Sequence, residues 1–365
     1  MDRFLVFSIS LLAAVSVTSD SRAQQAEYQR LPANVFDVTP PTERVSGDPG
    51  KMSVRQLACR KMPVAETRRR IVDVAIQEWA FFGFPIVDQT NFDDEVPFEQ
   101  IRALAPGANI YPASFNLLRR RGRFPPLPAE EAARVASSVA GYWAATPQGG
   151  AMIANQNRAW NGPQGMAGRW ADPWSAAFVS WVMCESGLGD VSQFQRAIAH
   201  WTYIDQAIGA RSGRATEAAF VAHDLGEEKI VPGDLLCSGR RPAYRSIAER
   251  RRQLGVGART HCDIVVKVDE TNERILAIGG NVRRSVSLKL LPAVRDTSGN
   301  LRLANSSDAR GMRPLFAHLK LRADPIEPNA LDNSPTIKAL DCELKFEERH
   351  PAFHLIPSDL AEGAC

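Results

Sequence analysis

The stretch Asp172-Pro173-Trp174-Ser175-Ala176-Ala177-Phe178-Val179-Ser180-Trp181-Val182 limits the fold of this chain more than any other. Trp174, Ala177, Phe178, Trp181 and Val182 recur at the spacing of one apolar helix face. Asp172 belongs to the cap-forming residues and Pro173 suits a first helical position, so the expected helix starts there. Gly187 stands where a left-handed C-cap would end it. A helix this apolar needs cover from the rest of the chain. Ser175 falls in its first turn, where amides without intrahelical acceptors and the positive end of the dipole favour a developing negative charge.

Ahead of that helix the chain opens with a different signal. Arg3 precedes an apolar run from Phe4 to Val17, and Ser21-Arg22-Ala23 offers the small residues a signal peptidase reads. Residues 1–23 therefore read as a signal peptide, and the mature protein as exported to the periplasm or the extracellular space. The run is too short for a confident membrane span. The net charge of +3 is too slight a bias to point to nucleic acid. Six cysteines, Cys59, Cys184, Cys237, Cys262, Cys342 and Cys365, fit an oxidising compartment, but their pairing stays open. Cys237 and Cys262 lie on strands that could be neighbours, and Cys342 with Cys365 could clip the C-terminal tail. Cys184 reads as a small buried residue. Nine steps of about 100° set it on the far side of the helix from Ser175.

The remaining elements follow from periodicity and punctuation. Residues 24–62, with Pro32, Pro40, Pro41 and Pro49, read as an N-terminal arm or linker. Helices are expected at about 65–82, stopped by Gly83, at 129–145 and at 191–208, with a surface connection over 149–170. Strands follow at 231–236, 261–268, 274–278, 282–290 after a Gly279-Gly280-Asn281 break, and 315–321. The domain therefore spans 63–322, and residues 323–365 form a tail rich in proline. Helices first and strands after make an α+β fold.

Three residue types supply the parts of a nucleophilic site: Ser175 at a helix start, His261 opening a strand, and Asn281 after the glycines. Alternation puts Asp263 on the same strand face as His261, making it a second candidate orienting group. Cys262, Ile264 and Val266 form the other, core-facing side. Asp172, Trp174, His200 and Tyr203 are candidates to line a substrate cleft around Ser175. A serine in a first turn also serves as a plain partner for helix amides, and a histidine such as His200 often bonds to backbone. Seven arginines (240, 241, 245, 250, 251, 252 and 259) face a single acid, Glu249, between Cys237 and His261. They read as a basic flap for an anionic polymer or as a solvated helix face. His350 and His354 have a metal-like spacing broken by Pro351, so no metal or other cofactor is expected.

The order W-S-A-A-F-V-S-W (174–181), P-G-D-L (232–235), H-C-D-I-V-V (261–266), G-G-N-V (279–282) resembles the bacterial domain of unknown function family 2272. That family is similar to the NlpC-type and CHAP amidases and peptidases. The resemblance implies a papain-like fold, with helices on a small antiparallel sheet or partial barrel. It implies a cell-wall amide or peptide substrate, such as peptidoglycan, with the nucleophile at Ser175, the base at His261 and the orienting residue at Asn281. The enzymes have cysteine where this chain has Ser175. The resemblance therefore fits either a hydrolase or a binding module that has lost the thiol.

Overall fold

The computed structural model describes residues 29–90, 129–167, 170–304 and 314–340. The signal segment, the Arg119–Arg121 run, Cys342, Cys365, His350 and His354 lie outside them. Six α-helices are assigned among the described residues: α1 (Thr67–Phe81), α2 (Ala129–Ala144), α3 (Gly149–Trp160), α4 (Ser175–Glu185), α5 (His200–Arg211) and α6 (Ile247–Arg251). Strands β1 (Val45–Ser46) and β2 (Ser53–Val54) form a small ribbon in the N-terminal arm. The main sheet contains β3 (Ile86–Asp88), β4 (Phe220–His223), β5 (Leu235–Arg241), β6 (Arg259–Asp269), β7 (Arg274–Val282), β8 (Ser285–Arg295), β9 (Leu301–Leu303) and β10 (Leu315–Leu321). No helix among the described residues is long and apolar enough to cross a membrane.

The α+β class holds, but the sheet is larger than expected and does not close into a barrel. Its order is β3-β8-β7-β6-β5-β10-β4, with β9 beside β8. All its pairings are antiparallel except β3 on β8. Both faces are covered. Cys262, Ile264, Val266, Leu276, Ile278 and Leu288 join the helices in one core, while Val265, Ile275, Ala277 and Leu291 build a second. Strand alternation places Cys262 and Ile264 correctly, and the opposite side of β6 is apolar beyond Asp263.

Helix α4 is the centre of the first core. Ala176 to Glu185 are all buried, so the expected single apolar face is instead a helix enclosed on every side. Two of its polar side chains find partners, while the Trp181 indole N–H is buried without one among the described residues. Ser180 Oγ donates to Ala197 O and accepts from Ala197 N, both at 3.0 Å, and Glu185 pairs with Arg44 of the arm. The helix starts at Ser175 rather than at Asp172, and no side chain caps it. Asp172 accepts instead from Asn155 Nδ2 at 3.1 Å. At the other end Gly187 takes φ 103°, and Leu188 N donates to Met183 O at 3.0 Å, closing a Schellman-type cap.

Three local expectations fail for tertiary reasons. Residues 149–160 form helix α3, whose buried Ile153, Gln156 and Trp160 dock it on the core, in place of a surface connection. The helix expected from 191 begins only at His200, because Asp190 holds an Asx turn through Ser192 N at 3.0 Å. Gly279-Gly280 does not break the strand, and β7 runs through to Val282. Those glycines answer a packing demand. A Cβ on Gly280 would lie 2.5 Å from Phe178 Cβ of α4, and one on Gly279 would collide with the Asp263 carboxylate.

The arm and the tail both join this core. Cys59 bonds to Cys184, so the cysteine read as a plain buried residue ties the arm to α4. Arg30 pairs with Glu78 of α1, which also accepts from Tyr142 OH. Cys237 and Cys262, opposite each other on β5 and β6, form the second disulfide. In the tail Ala330, Leu331, Ile337 and Leu340 are buried against the main cluster, and Leu331 N donates to Val266 O.

Candidate active site around Ser175

The site forms where two helices begin. Ser175 is the first residue of α4 and His200 the first of α5, and their side chains meet, Oγ to Nε2, at 2.8 Å. The positive ends of both dipoles therefore converge on one hydroxyl, and the first-turn amides of α4 have no acceptor within their own helix. Ser175 is half-buried, and the residues behind it are sealed.

His200 is buried and held at its other nitrogen. Cys262 N donates to Nδ1 at 3.2 Å, and Tyr203 OH contacts the same atom. Burial, followed by the nearby His261, pushes the His200 pKa well below its usual value, so the ring is neutral. Burial likewise pushes Tyr203 well up, which keeps the phenol protonated. Aromatic packing of Tyr203 on Phe194, centroids 4.9 Å apart, fixes this side of the ring.

A second imidazole stands beside the first. The His261 and His200 centroids are 5.0 Å apart in an edge-on arrangement. His261 Nε2 bonds to Asp263 Oδ1 at 2.8 Å, and Lys289 Nζ of β8 reaches Asp263 Oδ2 at 2.7 Å. Burial opposes the charge on Asp263, but Lys289 and His261 overcome it and hold the carboxyl well below the usual carboxylate range. An ionised Asp263 makes Nε2 the protonated nitrogen of neutral His261, so Nδ1 is its basic nitrogen.

The expected residues thus divide. Ser175, His200, Tyr203, His261 and Asp263 come together, but the imidazole hydrogen-bonded to Ser175 is His200, which the sequence reading assigned only to the cleft lining. The partner of His261 Nε2 is Asp263. Asn281 is half-buried on β7 at φ 55°, a left-handed conformation that asparagine tolerates better than most residues. Trp174 turns inward, fully buried and stacked 5.8 Å from both Phe82 and Tyr142, so it belongs to the core rather than to a substrate surface. Asp172 is half-buried and bonded to Asn155. Sequence reading missed Lys289, whose only signal is a lysine amid the apolar alternation of β8.

Two other polar sets lie outside this cluster. The P-G-D-L aspartate, Asp234, is buried and bonds Arg68 Nη1 at 2.9 Å and His318 Nε2 at 2.8 Å. Of the seven arginines, Arg250 is buried and clamps Asp205 of α5 through two bonds of 2.7 Å, while Arg240, Arg241, Arg245, Arg251, Arg252 and Arg259 are exposed. Among the described residues no cluster of three histidines, cysteines or acids is arranged to hold a metal ion.

The family model that matches this chain is described as an uncharacterized protein conserved in bacteria, domain of unknown function 2272, and it covers residues 130–321. That span includes Ser175, His200, Tyr203, His261, Asp263 and Lys289. No curated protein and no solved structure matches the chain.

Proposed function

This chain belongs to the bacterial family DUF2272, and from that premise we propose that it is an exported serine hydrolase of amide or peptide bonds. Its core would be a variant of the papain-like architecture of NlpC-type and CHAP enzymes, and its substrate class cell-wall peptide. The observation that carries the reading is a half-buried serine hydroxyl at a helix start, 2.8 Å from one imidazole, with a His–Asp pair one ring away. Ser175 Oγ attacks the carbonyl carbon, His261 takes its proton and returns it to the leaving amine, and Asp263 holds the imidazole. The carbonyl oxygen, negative in the tetrahedral intermediate, is stabilised by the first-turn amides of α4. The disulfides Cys59–Cys184 and Cys237–Cys262 support export into an oxidising compartment.

Incubation with peptidoglycan fragments, with released amine groups as the readout, tests the reading. Wild type should turn over, Ser175→Ala should not, and a fluorophosphonate probe should label Ser175. No turnover and no labelling by wild type would overturn it.

A second reading, a cell-wall or peptide-binding module, is favoured by one observation. Cys59, Cys184, Cys237 and Cys262 are all in disulfides, so none of them replaces the thiol of the related enzymes. The helix dipole, worth about 0.3–1 kcal/mol, is far too weak to ionise a serine. Ser175→Cys separates the readings: turnover gained only by the thiol variant, with fragments still bound by wild type, identifies the module.

A further inference from the structure

Of the two imidazoles near Ser175, the closer one is wired the wrong way round for a base. A backbone amide can only donate, so Cys262 N, 3.2 Å from His200 Nδ1, requires a lone pair on that nitrogen. The protonated Tyr203 phenol beside Nδ1 can donate to the same lone pair. A neutral imidazole carries one proton, which therefore sits on Nε2, the atom 2.8 Å from Ser175 Oγ. His200 Nε2–H donates and the serine oxygen accepts.

We propose that His200 is a positioning residue that acts as a fixed neutral donor to Ser175 Oγ, leaving proton removal to His261. The proposal rests on the hydrolase reading above for its kinetic consequences, but not for the tautomer itself. His261 has the complementary wiring, with Nε2–H turned to the Asp263 carboxylate. Two adjacent histidines thus split the work. One fixes the serine oxygen by donating to it, and the other is the base of the hydrolase reading. His200 keeps its neutral form because burial, the positive end of its own helix, His261 and Lys289 together outweigh the opposing Asp263 carboxylate. Protonating it would also set two donors against one another at Nδ1.

The donor role also explains why the ring is enclosed so tightly. A base must release and regain a proton in each cycle, whereas a donor needs only to stay in place. The amide that sets the tautomer belongs to Cys262, whose strand is stapled to β5 by the disulfide to Cys237. Tyr203 lies one helical turn along α5 and holds the ring from behind.

Two-bond proton–nitrogen NMR spectra of the full chain labelled with 15N-histidine read the tautomer directly, with or without turnover. His200 should appear as the Nε2–H form and should not titrate between about pH 5 and 8, the range where histidines ordinarily do. Tyr203→Phe should leave that form unchanged, because the Cys262 amide remains. An Nδ1–H tautomer, or an imidazolium at neutral pH, would overturn the proposal even if wild type hydrolyses its substrate. Kinetics supply the second arm. His200→Ala should lower kcat about a hundredfold, the order lost when a reacting atom is displaced by about 1 Å. His200→Gln, whose amide can donate but cannot serve as a base, should restore most of that loss and keep the acidic limb of the kcat/KM profile. Loss of that limb in His200→Gln, with His261 variants retaining it, would identify His200 as the base. If wild type shows no turnover, the hydrolase reading fails while the spectra still decide the tautomer.

Discussion

Two buried clusters in this fold share one motif and differ in use. In each, an aspartate on or entering a central strand binds an imidazole Nε2 at 2.8 Å and also a lysine: Asp234 with His318 and Lys320, Asp263 with His261 and Lys289. Asp234 adds the Arg68 guanidinium and the amides of Val231 and Leu321, at 3.1 and 3.2 Å, and both it and His318 are sealed. The cluster ties α1, β5 and β10 together and has no route to a substrate. Asp263 instead binds His261, whose ring packs on the His200 imidazole that meets a half-buried serine. A His–Asp bond is therefore no mark of an active site in itself. An approachable nucleophile makes the difference, since His318 likewise binds its carboxylate through Nε2 alone and is sealed from any hydroxyl.

The largest expected effect tests whether the Asp234 cluster is a structural hub. Arg68→Ala removes a buried guanidinium that pairs with Asp234 and holds the Pro232 and Leu321 carbonyls, and should cost about 3–5 kcal/mol in urea unfolding. A loss below about 1 kcal/mol would remove the contrast with the Asp263 cluster. Asp263→Asn should act the other way round. It keeps the shape but permits the wrong His261 tautomer, so turnover should fall by about 10⁴-fold. Stability should drop less than in Arg68→Ala, because the Lys289 side chain is partly exposed.

A third buried aspartate sharpens the comparison through pH. Asp73 has no imidazole partner, its Oδ1 is unbonded, and burial raises its pKa to about 7 despite Arg69. A folded pKa above the unfolded value of about 3.9 means that its favourable contribution is complete below about pH 4 and is lost as pH rises through 7. Asp234 and Asp263 have lowered folded values, so their contributions are present above about pH 4 and fade only as acid drives the pH below it. Asp73→Asn should therefore stabilise the protein by about 1–3 kcal/mol at pH 8 and by little at pH 4. Equal effects at both values in thermal melts would show that charge is not the cause. The smallest expected change is Asn281→Gly. Glycine suits the left-handed backbone and should add up to about 1 kcal/mol, while turnover falls far less than in Asp263→Asn. A comparable loss of turnover would restore Asn281 as the orienting residue.

The legible parts of this protein were those written in local pattern. The opening stretch announced the buried helix, Gly187 its cap, and the alternation of His261 to Val266 the strand and its two faces. Ser175, His200, Tyr203, His261 and Asp263 were each picked out by residue type. What escaped was set by contacts far apart in sequence. Glycines that read as a strand break make room for Phe178 and Asp263. Trp174, placed by neighbourhood in a cleft, turned inward because Phe82 and Tyr142 offered aromatic faces.

The sequence by itself determined that an apolar helix would carry a serine in its first turn, that a strand holding a histidine would follow, and that the chain would be α+β. Those features depend on periodicity, capping and alternation over a few residues. Only the tertiary structure decided which histidine meets Ser175, because α5 and β6 had to pack against α4 before His200 could reach the hydroxyl. It also decided the direction of that hydrogen bond. A single backbone amide of Cys262, placed by the register of β6, settles which nitrogen of His200 carries the proton.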